Sequence, residues 1–343
     1  MMVLTKNYRI HDILTIQINT QNKAKLPGLN FPLSYFETDE DLTNPDIILN
    51  IGPFKPERNN SYVVDHKYYI KENYLYCSDT ANGKASWKVE IMGFEEPPTI
   101  INFYGKIRGI YHLLAPDLLA QEVALFPIIE LALGLKGYFL AHAGGVTKDN
   151  KGILFVGRSG SRKTTIIMKA IRKGYKTLGD ERVIVDLNSV KDTKLLCFPI
   201  FPKIFEFTLL HSKDEYMPSS KRIAMLVYLK NTTLQLRDVW EDEAKLSRIY
   251  LLLPEMHTKG KLPKQFIHMF IANNYSELYS SDIPLLTRNN FPDYILAYSY
   301  IFPDNNWVKM YNNILKTEIE KLTKTKKVAF TVGNSTQEII NAL

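Results

Sequence analysis

The sequence predicts an α/β protein in which a β-rich N-terminal region precedes a core built on a strand, a phosphate loop and a helix. Three observations carry this expectation. Residues 8 to about 112 are rich in Tyr, Val and Ile and are punctuated by Pro, Asn and Gly, as strands and turns are. The stretch Gly152 to Asp186 passes from an apolar run through glycines into a helical pattern. At 343 residues, with 45% hydrophobic and 23% charged, the chain has globular composition and room for two domains.

Taken in order, Tyr8 to Ile18, Ile47 to Ile51, Tyr62 to Val64, Tyr68 to Cys77 and Trp87 to Met92 read as strands. Tyr74–Cys77 and Ser86–Val89 read as a hairpin. Pro116 to Leu135 is an apolar, helix-like segment with a kink or break expected at Pro127. Tyr138 onward is a buried strand, and Thr147 to Lys151 is the loop of a hairpin that delivers the chain to the Gly152 strand. Leu195 to Phe207, interrupted by Pro199 and Pro202, and Ile223 to Lys230 read as strands, while Leu246 to Leu253 fits either strand or helix. Met256 to Lys264 is a basic loop, Tyr294 to Ile301 an apolar run, and Lys316 to Lys327 a basic helix-to-linker segment. A strand, Val328 to Val332, and a short helix from Thr336 end the sequence. The division expected is a β-rich region over 1–115 and a catalytic domain over 116–343.

The formal charge of +7, from 43 Lys and Arg against 36 Asp and Glu, suits an acidic or phosphorylated partner without requiring nucleic acid. Cys77 and Cys197 are the two cysteines, far apart and outside any CxxC spacing; this excludes a disulfide scaffold and fits a cytoplasmic location. The alternating N-terminus is a strand and not a signal peptide, and Leu118 to Leu140 is broken by polar residues, so no membrane partner is expected.

The chemistry concentrates at Gly157-Arg158-Ser159-Gly160-Ser161-Arg162-Lys163-Thr164-Thr165, a Walker A-type P-loop. Successive backbone N–H groups at the positive end of a helix dipole bind phosphate oxygens without any charged side chain. Gly157 and Gly160 allow the tight path, Lys163 can reach terminal phosphates, and the Thr164 hydroxyl stands where Mg2+ is held. Ile166, Ile167, Ala170 and Ile171 mark the buried stripe of the following helix, and Gly174 suits its C-terminal cap. Arg162 occupies the position where glycine is usual, so its Cβ restricts the backbone there. One helix later, Asp180 and Glu181 are placed to face the metal and the transferring group. An exposed loop lysine adds little to folding, so losing Lys163 is expected to cost catalysis far more than stability.

His142-Ala-Gly-Gly-Val146, the GRSGSRKTT loop, Arg172-Lys-Gly174 and Leu178-Gly-Asp180-Glu181-Arg-Val183 together resemble HPr kinase/phosphorylase and its HPr-serine-kinase-like relatives over residues 138 to 186. The loop is also similar to that of ATP-dependent phosphoenolpyruvate carboxykinases. The resemblance implies a phosphoenolpyruvate-carboxykinase-like P-loop core with mixed and antiparallel sheets. It implies ATP or another nucleoside triphosphate, with Mg2+, and the γ-phosphoryl group as the group transferred. Residues Gly157 to Thr165 would cradle the phosphates, Asp180 would be the general base and a metal ligand, Glu181 would help hold the metal, and His142 would orient a phosphate or the base. The family usually has aspartate at position 181. The acceptor implied is a Ser or Thr hydroxyl of a protein or peptide, with a small hydroxylated metabolite second; a homo-oligomer is compatible with the sequence. A catalytically silent nucleotide-binding protein and, last, a nucleic-acid-associated ATPase are the competing readings.

Overall fold

The computed structural model describes residues 3–21, 33–81, 85–93, 96–108, 118–157, 161–189, 192–200, 202–211, 237–252, 290–313, 329–333 and 336–343. The expected strand at 223–230 and the basic segments at 256–264 and 316–327 lie outside them. The chain divides into two compact units, Met1–Lys136 with Tyr279–Asn312, and Gly137–Leu278 with Asn313–Leu343. The principal helices are α1 (Phe126–Leu135), α2 (Lys163–Arg172), α3 (Pro202–His211), α4 (Asn290–Ile301), α5 (Asn306–Asn313) and α6 (Thr336–Ala342). Both units carry mixed sheets, so the protein is a mixed α/β protein with a β-rich N-terminal region.

In the first unit, β1 (Leu4–Ile10), β2 (Leu14–Thr20), β3 (Glu37–Thr38), β4 (Ile47–Ile51), β5 (Tyr62–Val64), β6 (Tyr68–Lys71), β7 (Tyr74–Ala81), β8 (Ala85–Met92) and β9 (Thr99–Ile107) form one sheet. Its order is β3-β1-β2-β4-β9-β8-β7-β6-β5. Two runs expected as single strands are each a pair. The Tyr8 to Ile18 run turns at His11 (φ 49°), and the Tyr68 to Cys77 run turns at Asn73 (φ 54°). A left-handed residue reverses the chain where apolar alternation alone predicts continuation. The expected hairpin is present, with Tyr74 opposite Met92 and Cys77 opposite Val89.

Alternation then decides the core. Ile16, Ile18, Ile47, Leu49, Val89, Ile91, Ile101 and Phe103 are buried, one face of the pleat. Leu118–Ala120 and a wider π-turn, Gln121–Leu125, lead into α1 and pack on β9. Gly105 makes room there, because a Cβ would stand 2.8 Å from Leu119 Cδ2. The helix continues through Pro127, which directly follows the π-turn, where the regular hydrogen-bond ladder is already shifted and Phe126 N–H reaches Gln121 O. Helix α4 packs on β6, burying Tyr294 and Tyr298; the Asn73 N–H donates to the Tyr298 hydroxyl at 3.0 Å.

The second unit contains β10 (Tyr138–Ala141), β11 (Ala143–Lys148), β12 (Lys151–Val156), β13 (Lys176–Gly179), β14 (Val183–Asp186), β15 (Lys194–Leu196), β16 (Glu243–Leu252) and β17 (Ala329–Gly333). The order is β10-β14-β15-β16-β12-β11-β13, with β17 parallel to β16. The Leu246 run is strand, and it pairs in parallel with the strand that leads into the phosphate loop. The hairpin loop expected over Thr147 to Lys151 shrinks to Asp149 and Asn150, both with positive φ (53° and 58°), as a type I′ turn requires. The Leu195 run is strand only to Leu196. Pro202 then begins α3, because its ring presets a helical φ at a first turn and cannot donate to a ladder.

Candidate functional site

Strand β12 ends at Val156, and Gly157 is buried at the mouth of the loop. A Cβ on Gly157 would stand 2.5 Å from Ser161 Oγ and 2.9 Å from Leu252 Cβ, so the loop closes on itself only with glycine there. Arg158, Ser159 and Gly160 lie outside the described residues. Arg162 is exposed, with φ 68° and ψ 25°, immediately before α2. The backbone therefore keeps a left-handed conformation at the position where glycine is usual, at a cost of about 1 kcal/mol for a residue with a Cβ. The departure at Arg162 is one of side chain and of backbone strain.

Helix α2 buries Lys163, Ile166, Ile167, Met168 and Ala170. Gly174 (φ 83°) ends it in a Schellman motif: Gly174 N donates to Ile171 O at 2.9 Å and Tyr175 N to Ala170 O at 3.1 Å. Helix α6 packs on α2, burying Ile339 and Ile340.

Lys163 corrects one expectation. Its side chain is buried, not exposed, and its ammonium donates to Gly157 O at 2.6 Å. The lysine therefore ties the two ends of the loop together, and its removal touches stability too.

The acidic pair comes to the same place. Thr164 Oγ1 donates to Asp180 Oδ2 at 3.1 Å. The turn that carries Asp180, Glu181 and Arg182 needs glycine at its entry, since a Cβ on Gly179 would stand 2.0 Å from Arg182 O. Burial, and secondarily the neighbouring Glu181 carboxylate, push Asp180 up to about 7, against the Thr164 hydrogen bond and the Lys163 charge, which pull it down. Glu181 is exposed. Its backbone carbonyl accepts from Ala143 N at 3.1 Å, which holds the turn beside His142.

His142 is the single residue between β10 and β11, and those strands stand first and next to last in the sheet order. Adjacent Cα atoms stand only about 3.8 Å apart, so the sheet curls until its first and penultimate strands meet at this residue. Residues 180–182 make the matching link from β13 to β14. Gly144 permits the closure: a Cβ there would stand 2.4 Å from Ile167 Cδ1 and 3.3 Å from Asp180 O. Burial lowers the His142 pKa to about 3, helped by the Lys163 and Arg182 charges, so the ring is neutral at ordinary pH. Gly144 and Arg182 were not singled out from the sequence; paired glycines inside a strand were the available signal for close backbone approach.

His142 Nδ1, Ser161 Oγ and Asp180 Oδ1 are buried without hydrogen-bond partners within the protein. Such atoms cost about 1–3 kcal/mol each unless a ligand satisfies them. Two carry hard oxygen, the donor type Mg2+ takes, and Mg2+ sites use one or two carboxylates with the remaining positions filled by phosphate and water. Among the described residues no group of three or more His, Cys, Asp or Glu that could hold a metal ion is found. Asp180, whose Oδ1 is one of these buried oxygens, and Thr164, which is hydrogen-bonded to its Oδ2, fit the ion; Glu181, at the surface, is one residue away in sequence.

No protein-family model matches the sequence, and no curated protein matches it. Among solved structures the chain is similar to the HPr(Ser) kinase/phosphatase from Coxiella burnetii, at TM-score 0.23 and 12% identity, over 36% of this chain and 70% of that one. A TM-score of 0.23 does not establish a shared fold. Among the described residues no helix is long and apolar enough to cross a membrane.

Proposed function

We propose that the chain is an ATP- and Mg2+-dependent kinase that transfers the γ-phosphoryl group to a hydroxyl acceptor, on a phosphoenolpyruvate-carboxykinase-like P-loop core of the HPr-kinase-like kind. The observation that carries this reading is the hydrogen bond from Thr164 to Asp180 at the N-terminus of α2, with Lys163 closing the loop beside it. It unites a phosphate-binding helix end, a cation and a carboxylate of raised basicity, which are what phosphoryl transfer asks of a protein.

Asp180 takes the proton as the acceptor oxygen bonds to phosphorus and the bond to the nucleoside diphosphate breaks. A carboxylate whose pKa lies near 7 is matched to that task, ionised often enough to accept and basic enough to pull. Lys163 leaves Gly157 O for a phosphate oxygen, exchanging one acceptor for a charged one. Neutral His142 donates or accepts one hydrogen bond and does not act as a cationic clamp. Thr164 and Asp180, assisted by Glu181, would hold Mg2+, which supplies charge neutralisation across the phosphates. The acceptor is a Ser or Thr hydroxyl of a peptide or protein, or else a small hydroxylated metabolite, with residues 1–115 as the acceptor-binding region and 116–343 as the catalytic domain. The location proposed is cytoplasmic.

The test is incubation with γ-labelled ATP, Mg2+ and peptide and metabolite libraries, followed by identification of the labelled product. A chain that neither binds ATP, ADP or GTP by calorimetry nor labels any acceptor is not this kinase. A chain that binds nucleotide and labels nothing is the silent nucleotide-binding protein. Arg162 favours that second reading only to the extent that its exposed guanidinium obstructs the loop.

A further inference from the structure

A cavity of about 460 Å3 opens on the polar face of the first unit's sheet, and its lining includes Asn19, Gln21, Asn50, Pro53, Phe54 and Asn102. The volume falls within the usual range of small-molecule sites. Its floor is a row of amides from three neighbouring strands: Asn19 stands opposite Asn50 and Asn50 opposite Asn102. Asn19 Nδ2 donates to Asn50 Oδ1 at 3.0 Å, and Asn50 Nδ2 to Asn102 Oδ1 at 3.0 Å. Asn102 Nδ2 in turn donates to Glu90 Oε2 at 2.8 Å. Glu90 is buried and its other oxygen accepts from the Tyr74 hydroxyl at 2.8 Å and from Glu57 N at 3.1 Å.

The row has a direction. A carboxylate anchored by donors fixes which end of Asn102 faces it, and each amide then orients the next. Asn19 Oδ1 is filled at the far end by Thr5 Oγ1 (2.9 Å) and Gln17 Nε2 (3.1 Å). Each of the three amides uses one N–H on its neighbour and retains a second. These remaining donors are repeated at the strand spacing of about 4.8 Å on a floor that cannot rearrange without breaking the row.

The wall is apolar and held in place. Lys88 Nζ donates to Phe54 O and stands 4.5 Å from the Phe54 ring centre, which holds this aromatic in place. Among the described residues no Asp, Glu, Lys or Arg lines it. An anion or a cation would lose hydration without gaining a partner of opposite charge. A nucleobase edge presents its donors and acceptors closer together than one strand spacing. Hydroxyls two carbons apart on a pyranose ring stand at about that spacing, and the ring's C–H face packs on an aromatic.

We propose that this cavity binds a neutral polyhydroxylated ligand of the saccharide class, its hydroxyls on the Asn19–Asn50–Asn102 row and its C–H face against Phe54. The site is independent of the phosphoryl-transfer reading and survives its failure. The full chain is tested by saturation-transfer NMR and calorimetry with glucose, galactose, mannose, N-acetylglucosamine and their disaccharides, with adenosine and inorganic phosphate as controls. At least one sugar is expected to saturate, and Phe54→Ala and Asn50→Leu each to weaken it about tenfold or more, equivalent to about 1.4 kcal/mol. Phe54 lies outside the strands, so its variant keeps the test valid where Asn50→Leu fails to fold. The proposal is overturned if no sugar in the panel binds. It is equally overturned if adenosine or phosphate binds with the same dependence on Phe54, or if the folded variants bind as the parent does.

Discussion

Two polar clusters, one in each unit, are built in opposite ways. In the first, Asn19, Asn50, Asn102 and Glu90 lie along the pleat and satisfy one another across strands. In the second, His142, Ser161 and Asp180 lie where strands end, each with a buried atom left without a protein partner. A side chain in mid-strand has neighbours at fixed spacing on both sides, so a polar row there can close on itself. A side chain at a strand end faces a gap between backbone directions, where another molecule can complete it. Self-satisfaction gives a rigid floor; incompleteness gives a site for chemistry.

That contrast can be broken from either side. The largest expected effect is in the second unit: Asp180→Asn lowers phosphoryl transfer by about 10²–10⁴-fold, measured with γ-labelled ATP and the identified acceptor. The same change separates function from stability through pH. The folded protein holds the Asp180 proton more tightly than the unfolded chain, about 7 against 3.8. Burying the ionised carboxylate therefore costs nothing well below pH 3.8 and its full amount above pH 7. Asp180→Asn should raise Tm at pH 8 and leave it nearly unchanged at the acid end; an equal shift at both would remove the desolvated carboxylate. The sign is reversed for His142, whose folded pKa is depressed. Its contribution is present above its unfolded value of 6.5 and is lost as pH falls toward about 3.

Lys163→Ala is next, with a loss of about 10²–10³-fold in transfer and, because its ammonium holds Gly157 O, a drop in Tm as well. In the first unit Asn102→Leu is expected to cost about 1–3 kcal/mol in urea unfolding, since it strips a donor from buried Glu90 and an acceptor from Asn50. Smallest is Arg162→Gly, which relieves a left-handed residue and should stabilise the protein by up to about 1 kcal/mol; calorimetric Tm measures it.

Much of the second unit was legible in its sequence. The strand, loop and helix at 151–172 follow from local order, and Asp180 meets Thr164 one helix later, a separation short enough to read. The burial of Lys163 was not legible, because it depends on the loop folding back on its own first carbonyl. Nor was the meeting of the sheet's first and penultimate strands at His142, which follows from pairings of β10 and β11 with different partners. The amide row was hidden for a related reason. Asn19 and Asn50 are 31 residues apart, and Asn50 and Asn102 are 52 apart; only the parallel register places them side by side. Single left-handed residues at His11 and Asn73 likewise split runs that alternation joins.

The bond between Asn73 and Tyr298 spans 225 residues, and it has a bearing on how the molecule comes into being. A ribosome delivers the N-terminus first. All nine strands of the first sheet emerge long before α4, which supplies Tyr294 and Tyr298 to their core. During that interval Tyr68 and Ile70 wait without the helix that later covers them, while β10 to β16 are already being made. A sheet synthesised early is thus completed late, when Asn290–Ile301 has emerged to cover it.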